Sequence, residues 1–335
     1  MKRDITMIKG DRDRPVAIFI HGLGMDKRIW ESPNESRVLG GKFPVNLFVG
    51  KEPKPEMRGG DEQGEISRGL FLGEPLTNLT TLFHSLKERG CTVVTWSQQR
   101  PSAEIDSAVS ELKDIVVMFG DYSKAGMMLI GHSRGGLVAR KYLAGGDKRI
   151  RCLVTLATPH KGSRMARWVE YMTPLTSLIH HFLPDSEKGT VTYAAKKTFD
   201  FLRSKAVKEL LPDSRFFISL DDTARRGVYY LSAGGNNPTL FSVYRRVIAR
   251  TWDSQKERFI VKPRRVFSVP DILEKVIPPR LFPDEMKQGK GDGFVSTESS
   301  RLPWSDAHYD FDVNHAGILF DERLKQVVAD ALNHL

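Results

Sequence analysis

The chain has 335 residues, 40% of them apolar and 27% charged, with 51 Lys/Arg against 41 Asp/Glu for a formal net charge of +10. The length suits one large α/β domain with an inserted subdomain, and the composition excludes wholesale disorder, collagen and coiled coil. No apolar run approaches the roughly 18 residues of a membrane-spanning helix.

The charge is uneven. Residues 134–290 carry 30 Lys/Arg against 15 Asp/Glu, and the remainder 21 against 26. A basic middle of this kind suits an anionic membrane surface or anionic substrates. Its Arg pairs (Arg225-Arg226, Arg245-Arg246, Arg264-Arg265) are not interleaved with stacking aromatics, so no nucleic acid is expected. The N-terminal Met1–Lys9 is basic but is followed by no apolar signal region. With only Cys91 and Cys152, both at strands, two buried free thiols and a cytoplasmic location are the expectation. Neither CxxC nor HExxH occurs, and no metal or cofactor is expected.

Val16 to Ile20 reads as a buried strand entering the Gly-rich His21-Gly22-Leu23-Gly24. Residues 25–75, with eight glycines and five prolines, read as loop with short pieces of structure. Leu76, Leu79, Phe83 and Leu86 recur at helical spacing before Gly90. Cys91 to Trp96 is a strand. Ser102 is positioned to cap a helix with Ile105, Val109, Leu112, Val116 and Phe119 on its apolar face. Met127 to Ile130 is a strand, Arg134 to Ala144 a helix, and Ile150 to Leu156 a strand. Strands alternating with amphipathic helices predict an α/β fold with a mostly parallel sheet covered on both faces.

The rhythm breaks at 164–226. Apolar residues from Met165 to Leu183 recur at helical spacing, and a second helix is expected over about Tyr193 to Leu211, so this stretch reads as a helical cap. Val228 to Ala233 resumes the strand pattern. Residues 236–290 form a basic insertion with no clear pattern. Alternation over His308–Val313 predicts a short strand, and Gly317 to Leu332 a closing helix. The expected division is therefore a core of 1–163 and 227–335, interrupted by a cap at 164–226.

Gly131-His132-Ser133-Arg134-Gly135 fits G-x-S-x-G. It sits directly between a strand and a helix, the context in which a sharp turn exposes a serine hydroxyl at the carboxyl edge of a sheet. An unactivated serine needs a base, and the base needs an orienting carboxylate. Among His180, His181, His308, His315 and His334, His315 follows the last strand and precedes the last helix. Asp292, bracketed by Gly291 and Gly293, is the favoured acid, with Asp271, Asp284, Asp310 and Asp312 as weaker rivals. A developing oxyanion needs two N–H donors, expected from the amides of Arg134 and Leu23.

These segments, with Ala157-Thr158-Pro159-His160-Lys161-Gly162-Ser163 and Asn314-His315, resemble α/β-hydrolase lipases, in particular bacterial triacylglycerol lipases and related esterases. The resemblance covers about 15–24, 127–163 and 290–320. It implies Ser133, Asp292 and His315 as a triad, Leu23 and Arg134 as oxyanion amides, a lid at 164–226, and a structural role for His160 and Lys161 beside the site. The calcium-binding aspartate of many such lipases has no counterpart in Ala316-Gly317-Ile318. The expected activity is hydrolysis of carboxylic, including lipid, esters. Acyl transfer or thioester cleavage with the same residues, and a catalytically silent membrane-binding module, are the alternatives.

Overall fold

The computed structural model describes residues 3–38, 41–42, 45–58, 69–76, 78–165, 204–220, 222–253 and 256–335. Its centre is a sheet of seven strands among these residues: β1 (Ile5–Ile8), β2 (Val16–Ile20), β3 (Thr92–Trp96), β4 (Met127–His132), β5 (Ile150–Leu156), β6 (Tyr229–Gly235) and β9 (Ala307–Phe311). The spatial order is β1-β3-β2-β4-β5-β6-β9. Only β1 runs antiparallel, an edge strand not anticipated from its sequence. The other neighbours pair in parallel. Continuous β-branched and apolar runs such as Val16–Ile20 are buried throughout because both faces are covered.

One face packs under α2 (Ile105–Phe119) and α3 (Arg134–Ala144), joining Ile18, Leu129 and Leu153 to Leu112, Ile115, Leu137 and Val138. The other packs under α1 (Leu82–Glu88) and α4 (Glu322–Ala331), joining Phe19, Met128 and Val154 to Leu82, Leu86, Leu324 and Val328. This is the α/β-hydrolase type of three-layer architecture. From β2 the chain passes to β3 on one side and to β4 on the other. The loops after β2 and β4 thus meet where the strand order reverses, the place at which α/β sheets form their sites.

Several boundaries differ from expectation. Leu76 and Leu79 precede α1, which starts only after Thr81. There the Thr81 and His84 side chains satisfy each other's backbone amides as a capping box. Ser102 does not cap α2. Glu209 does so from across the chain, its Oε2 accepting the Ile105 N–H at 2.8 Å. The closing helix is broken: Gly317–Phe320 is a 3-10 turn, and Asp321 then caps α4 through the amides of Arg323 and Leu324. Both cysteines are buried and unbridged.

Of the expected cap, 166–203 lies outside the described residues, including His180, His181 and most of the apolar stripe. Met165 is buried in a cluster with Leu240, Val243 and Phe282. The described part of the second expected helix holds only a turn at Lys205–Lys208. The unpatterned 236–290 contains a long β-hairpin, β7 (Phe241–Asp253) and β8 (Lys256–Val269). Flanked by Glu56–Arg58 and Leu70–Leu72, it makes a separate four-stranded sheet.

Candidate active site

Ser133 occupies the turn between β4 and α3 with φ 55° and ψ −128°, a conformation costly for an L residue. Close packing imposes it. A Cβ on Gly131 would lie 2.4 Å from the Gly136 nitrogen, and one on Gly135 would lie 2.3 Å from the Ile20 carbonyl oxygen. Helix α3 can therefore press against β2 and β4 only with glycines at these places. The Ser133 N–H donates to the Leu156 carbonyl at 2.8 Å, tying the turn to the end of β5.

The loop after β2 lies against this turn. A Cβ on Gly22 would sit 3.2 Å from the Ser133 Cβ and 3.1 Å from His132 Nδ1. The Gln98 N–H donates to His21 Nε2 at 3.0 Å, so the His21 hydrogen is on Nδ1, which donates to the Gly22 carbonyl at 2.9 Å. Burial pushes His21 down to about 4, which keeps it neutral. Because the Gly22–Leu23 peptide is trans, anchoring its carbonyl also aims the Leu23 N–H the other way. Neither the Leu23 nor the Arg134 amide has an acceptor among the described residues. The Arg134 side chain runs inward, donating to Gln98 Oε1 at 3.1 Å and to the Ala103 carbonyl at 2.5 Å. Burial lowers its pKa to about 10.

Asp292 and His315, 23 residues apart, are brought together. His315 Nδ1 donates to Asp292 Oδ2 at 2.9 Å, and the His315 N–H donates to the Asp292 carbonyl at 2.9 Å. The second carboxylate oxygen accepts the amides of Phe294 at 2.9 Å and Val295 at 2.7 Å. Asp292 is wholly buried, and the His315 side chain is 13% exposed. With Nδ1 engaged as donor, His315 Nε2 carries the free lone pair.

His132 links this pair to the elbow. Its Nε2 donates to the His315 carbonyl at 3.0 Å, and the two rings are 4.9 Å apart. Burial, aided by the neighbouring His315, pushes His132 down to about 3. Phe294, 38% exposed, rests its ring 5.2 Å from that of His315. Its carbonyl accepts from Ser163 Oγ at 2.6 Å. Motif reading overlooked Phe294, and the supporting roles of His21 and His132 as well. Their adjacency to Asp292, Gly22 and Ser133 was the available signal.

The remaining candidates lie elsewhere. His308 bonds Ser232 and Asp310, His334 stacks on Tyr229, Asp284 pairs with Lys287, and Asp312 accepts from Asn237. Asp271 opens the helix Asp271–Val276. His160 is buried with Nε2 on Thr155 Oγ1, and burial holds it well below its ordinary value; Lys161 pairs with Glu298. Among the described residues, no group of three or more His, Cys, Asp or Glu side chains is arranged to hold a metal ion.

Fold and turn geometry together are those of the α/β-hydrolase fold. Residues 105–187 match the model of the PGAP1-like alpha/beta domain family. The structure is similar to the lipase BlEst2 of Bacillus licheniformis in its mature form, with a TM-score of 0.52 and 14% identity over 98% of this chain and 97% of that one. The same lipase in its propeptide form gives 0.51 and 14% identity over 98% of this chain and 53% of that one. No curated protein sequence matches.

Proposed function

We propose that the protein hydrolyses carboxylic esters through an acyl-enzyme on Ser133, with His315 as general base and Asp292 as its orienting carboxylate. The observation that carries this reading is the buried Asp292–His315 bond, linked through His132 to a serine at φ 55°. The likeness to a bacterial lipase supports it at the level of fold.

In this reading the Ser133 hydroxyl attacks the ester carbonyl and its proton passes to His315 Nε2. The imidazolium is stabilised by Asp292, which also holds the tautomer that leaves Nε2 basic. Charge on the former carbonyl oxygen falls to the amides of Leu23 and Arg134. Return of the proton to the alkoxide expels the alcohol. A water deprotonated by the same Nε2 then releases the acid. The cap, 164–226, interrupting a core of 1–163 and 227–335, belongs to this proposal as the acyl-chain cover.

Turnover of p-nitrophenyl esters tests the assignment. Ser133→Ala is expected to lower kcat by about 10⁴-fold or more, and a fluorophosphonate is expected to label Ser133 in the parent. Retained turnover in the variant would refute the nucleophile. An unlabelled serine would favour a silent module. A series of ester and acyl-thioester substrates decides between ester and thioester cleavage.

A further inference from the structure

The β7–β8 hairpin grows directly out of the site. At its root, Leu240 lies where a Cβ on Gly293 would come within 2.6 Å. Asn314, the neighbour of His315, donates from Nδ2 to the Thr239 carbonyl at 2.7 Å. Val243, Phe241 and Val269 bury this end of the hairpin in the cluster that also holds Met165 and Phe282.

Further out, its character changes. Arg245 is directly opposite Arg264 across the ladder, and Leu70 is opposite Arg245 on the other side. Directly opposed residues share a face, so Leu70, Arg245 and Arg264 form one row. Lys262, opposite Val247, extends it on the same face. The three cations are exposed and Leu70 is 48% exposed. Arg245 lies about 13 Å along the strand from Phe241.

Like charges directly opposed across a ladder destabilise it. Among the described residues, no carboxylate lies within ion-pair distance of Arg245, Lys262, Arg264 or Arg265. Arg246, on the opposite face, is instead placed over the Phe71 ring at 4.6 Å. Val266, at the register shift of the ladder, adds further exposed apolar surface at 48%, while Ile248 lies on the opposite face with Arg246. A face that sets Arg245 and Arg264 side by side, with Lys262 next to them and Leu70 at their flank, and that has no exposed aromatic ring among the described residues on which a base could stack, complements an anionic lipid headgroup layer better than a nucleic acid.

We infer that this face of the hairpin docks the protein on an anionic phospholipid surface. Arg245, Lys262 and Arg264 meet the headgroups, and Leu70 enters the boundary beneath them. Docking stands apart from the catalytic reading; only its consequence, delivery of lipid esters to Ser133, rests on it.

The test is cosedimentation of the full-length Ser133→Ala protein with phosphatidylcholine vesicles, with or without phosphatidylglycerol. Binding is expected only to the phosphatidylglycerol vesicles, with release at high salt. Adding Arg245→Gln and Arg264→Gln is expected to weaken binding about 10- to 30-fold without lowering the melting midpoint, since a repulsive pair is removed. If the midpoint does fall, Lys262→Glu on the unaltered hairpin carries the same expectation of weaker binding. Equal binding to both vesicles, undiminished binding by the variants, or tighter binding of a poly-uridine oligonucleotide than of vesicles overturns the proposal. Soluble-ester turnover by the native protein, measured separately, reports on the catalytic reading alone.

Discussion

His132 and His315 lie 183 residues apart, yet the Nε2–H of the first donates to the main-chain carbonyl of the second at 3.0 Å. The residue before the elbow serine thus holds the backbone that carries the imidazole. His132→Phe keeps a ring of similar girth and removes the donor. A buried carbonyl left unpaired costs about 1–3 kcal/mol, so a loss of up to roughly 5- to 160-fold in kcat is expected. The loss should fall on kcat rather than on KM, because ester binding does not use this bond. Steady-state kinetics on a soluble ester measures the split.

Asp292→Asn preserves shape but offers an amide where Nδ1–H needs an acceptor. The Phe294 and Val295 amides hold one terminal oxygen in place. The NH₂ group of the asparagine is therefore directed at His315, favouring the tautomer with no lone pair on Nε2. A fall of about 10³–10⁴-fold in kcat is expected with the fold intact. Turnover and near-ultraviolet circular dichroism of the same sample check both halves.

The Phe294 ring shields one side of the His315 imidazole, while its main chain serves Asp292 and Ser163. Phe294→Ala keeps the main-chain bonds and loses a ring pair worth about 0.5–1.5 kcal/mol. A loss of about 2- to 12-fold in kcat/KM is expected, with partial recovery in Phe294→Leu. An unchanged kcat/KM would remove the ring from any part in the reaction.

His21 and His132 are buried neutral, at about 4 and about 3, against 6.5 for an exposed imidazole. The unfolded chain binds their protons first as pH falls, so their neutral burial costs nothing above pH 6.5 and stability declines below it. Each histidine contributes a loss of roughly 1.4 kcal/mol per pH unit, down to its own folded value. Chemical denaturation between pH 7.5 and about 4.5 is expected to show this slope, and His21→Asn to reduce it. A flat profile between those limits would mean that the two rings take up protons as readily in the fold as in the unfolded chain.

The elbow was legible because its signals are local. Gly131, Gly135 and Gly136 mark close approach, the serine lies between an apolar run and an amphipathic helix, and both sit within a dozen residues. Parallel strands were legible for the same reason: a strand buried on both faces reads as an unbroken apolar run. The distant partners were a different matter. Asp292 stood out by its flanking glycines, but its bond to His315 depends on how β6 and β9 align, a pairing that no local pattern encodes.

The misread elements have the same origin. Leu76 and Leu79 keep helical spacing outside any helix because Thr81 caps the chain later. The α2 amide is capped by Glu209, 104 residues away, rather than by the nearby Ser102. The hairpin escaped detection because its strands are interrupted by arginines that no core excludes. By itself, then, the order of residues determined the covalent and short-range features: a strained serine, glycines where a Cβ would collide, and apolar stripes of the right period. Tertiary structure alone decided which carboxylate reaches the imidazole, which ring covers it and where the basic strands stand. Those outcomes depend on packing between segments that share no neighbourhood in the chain.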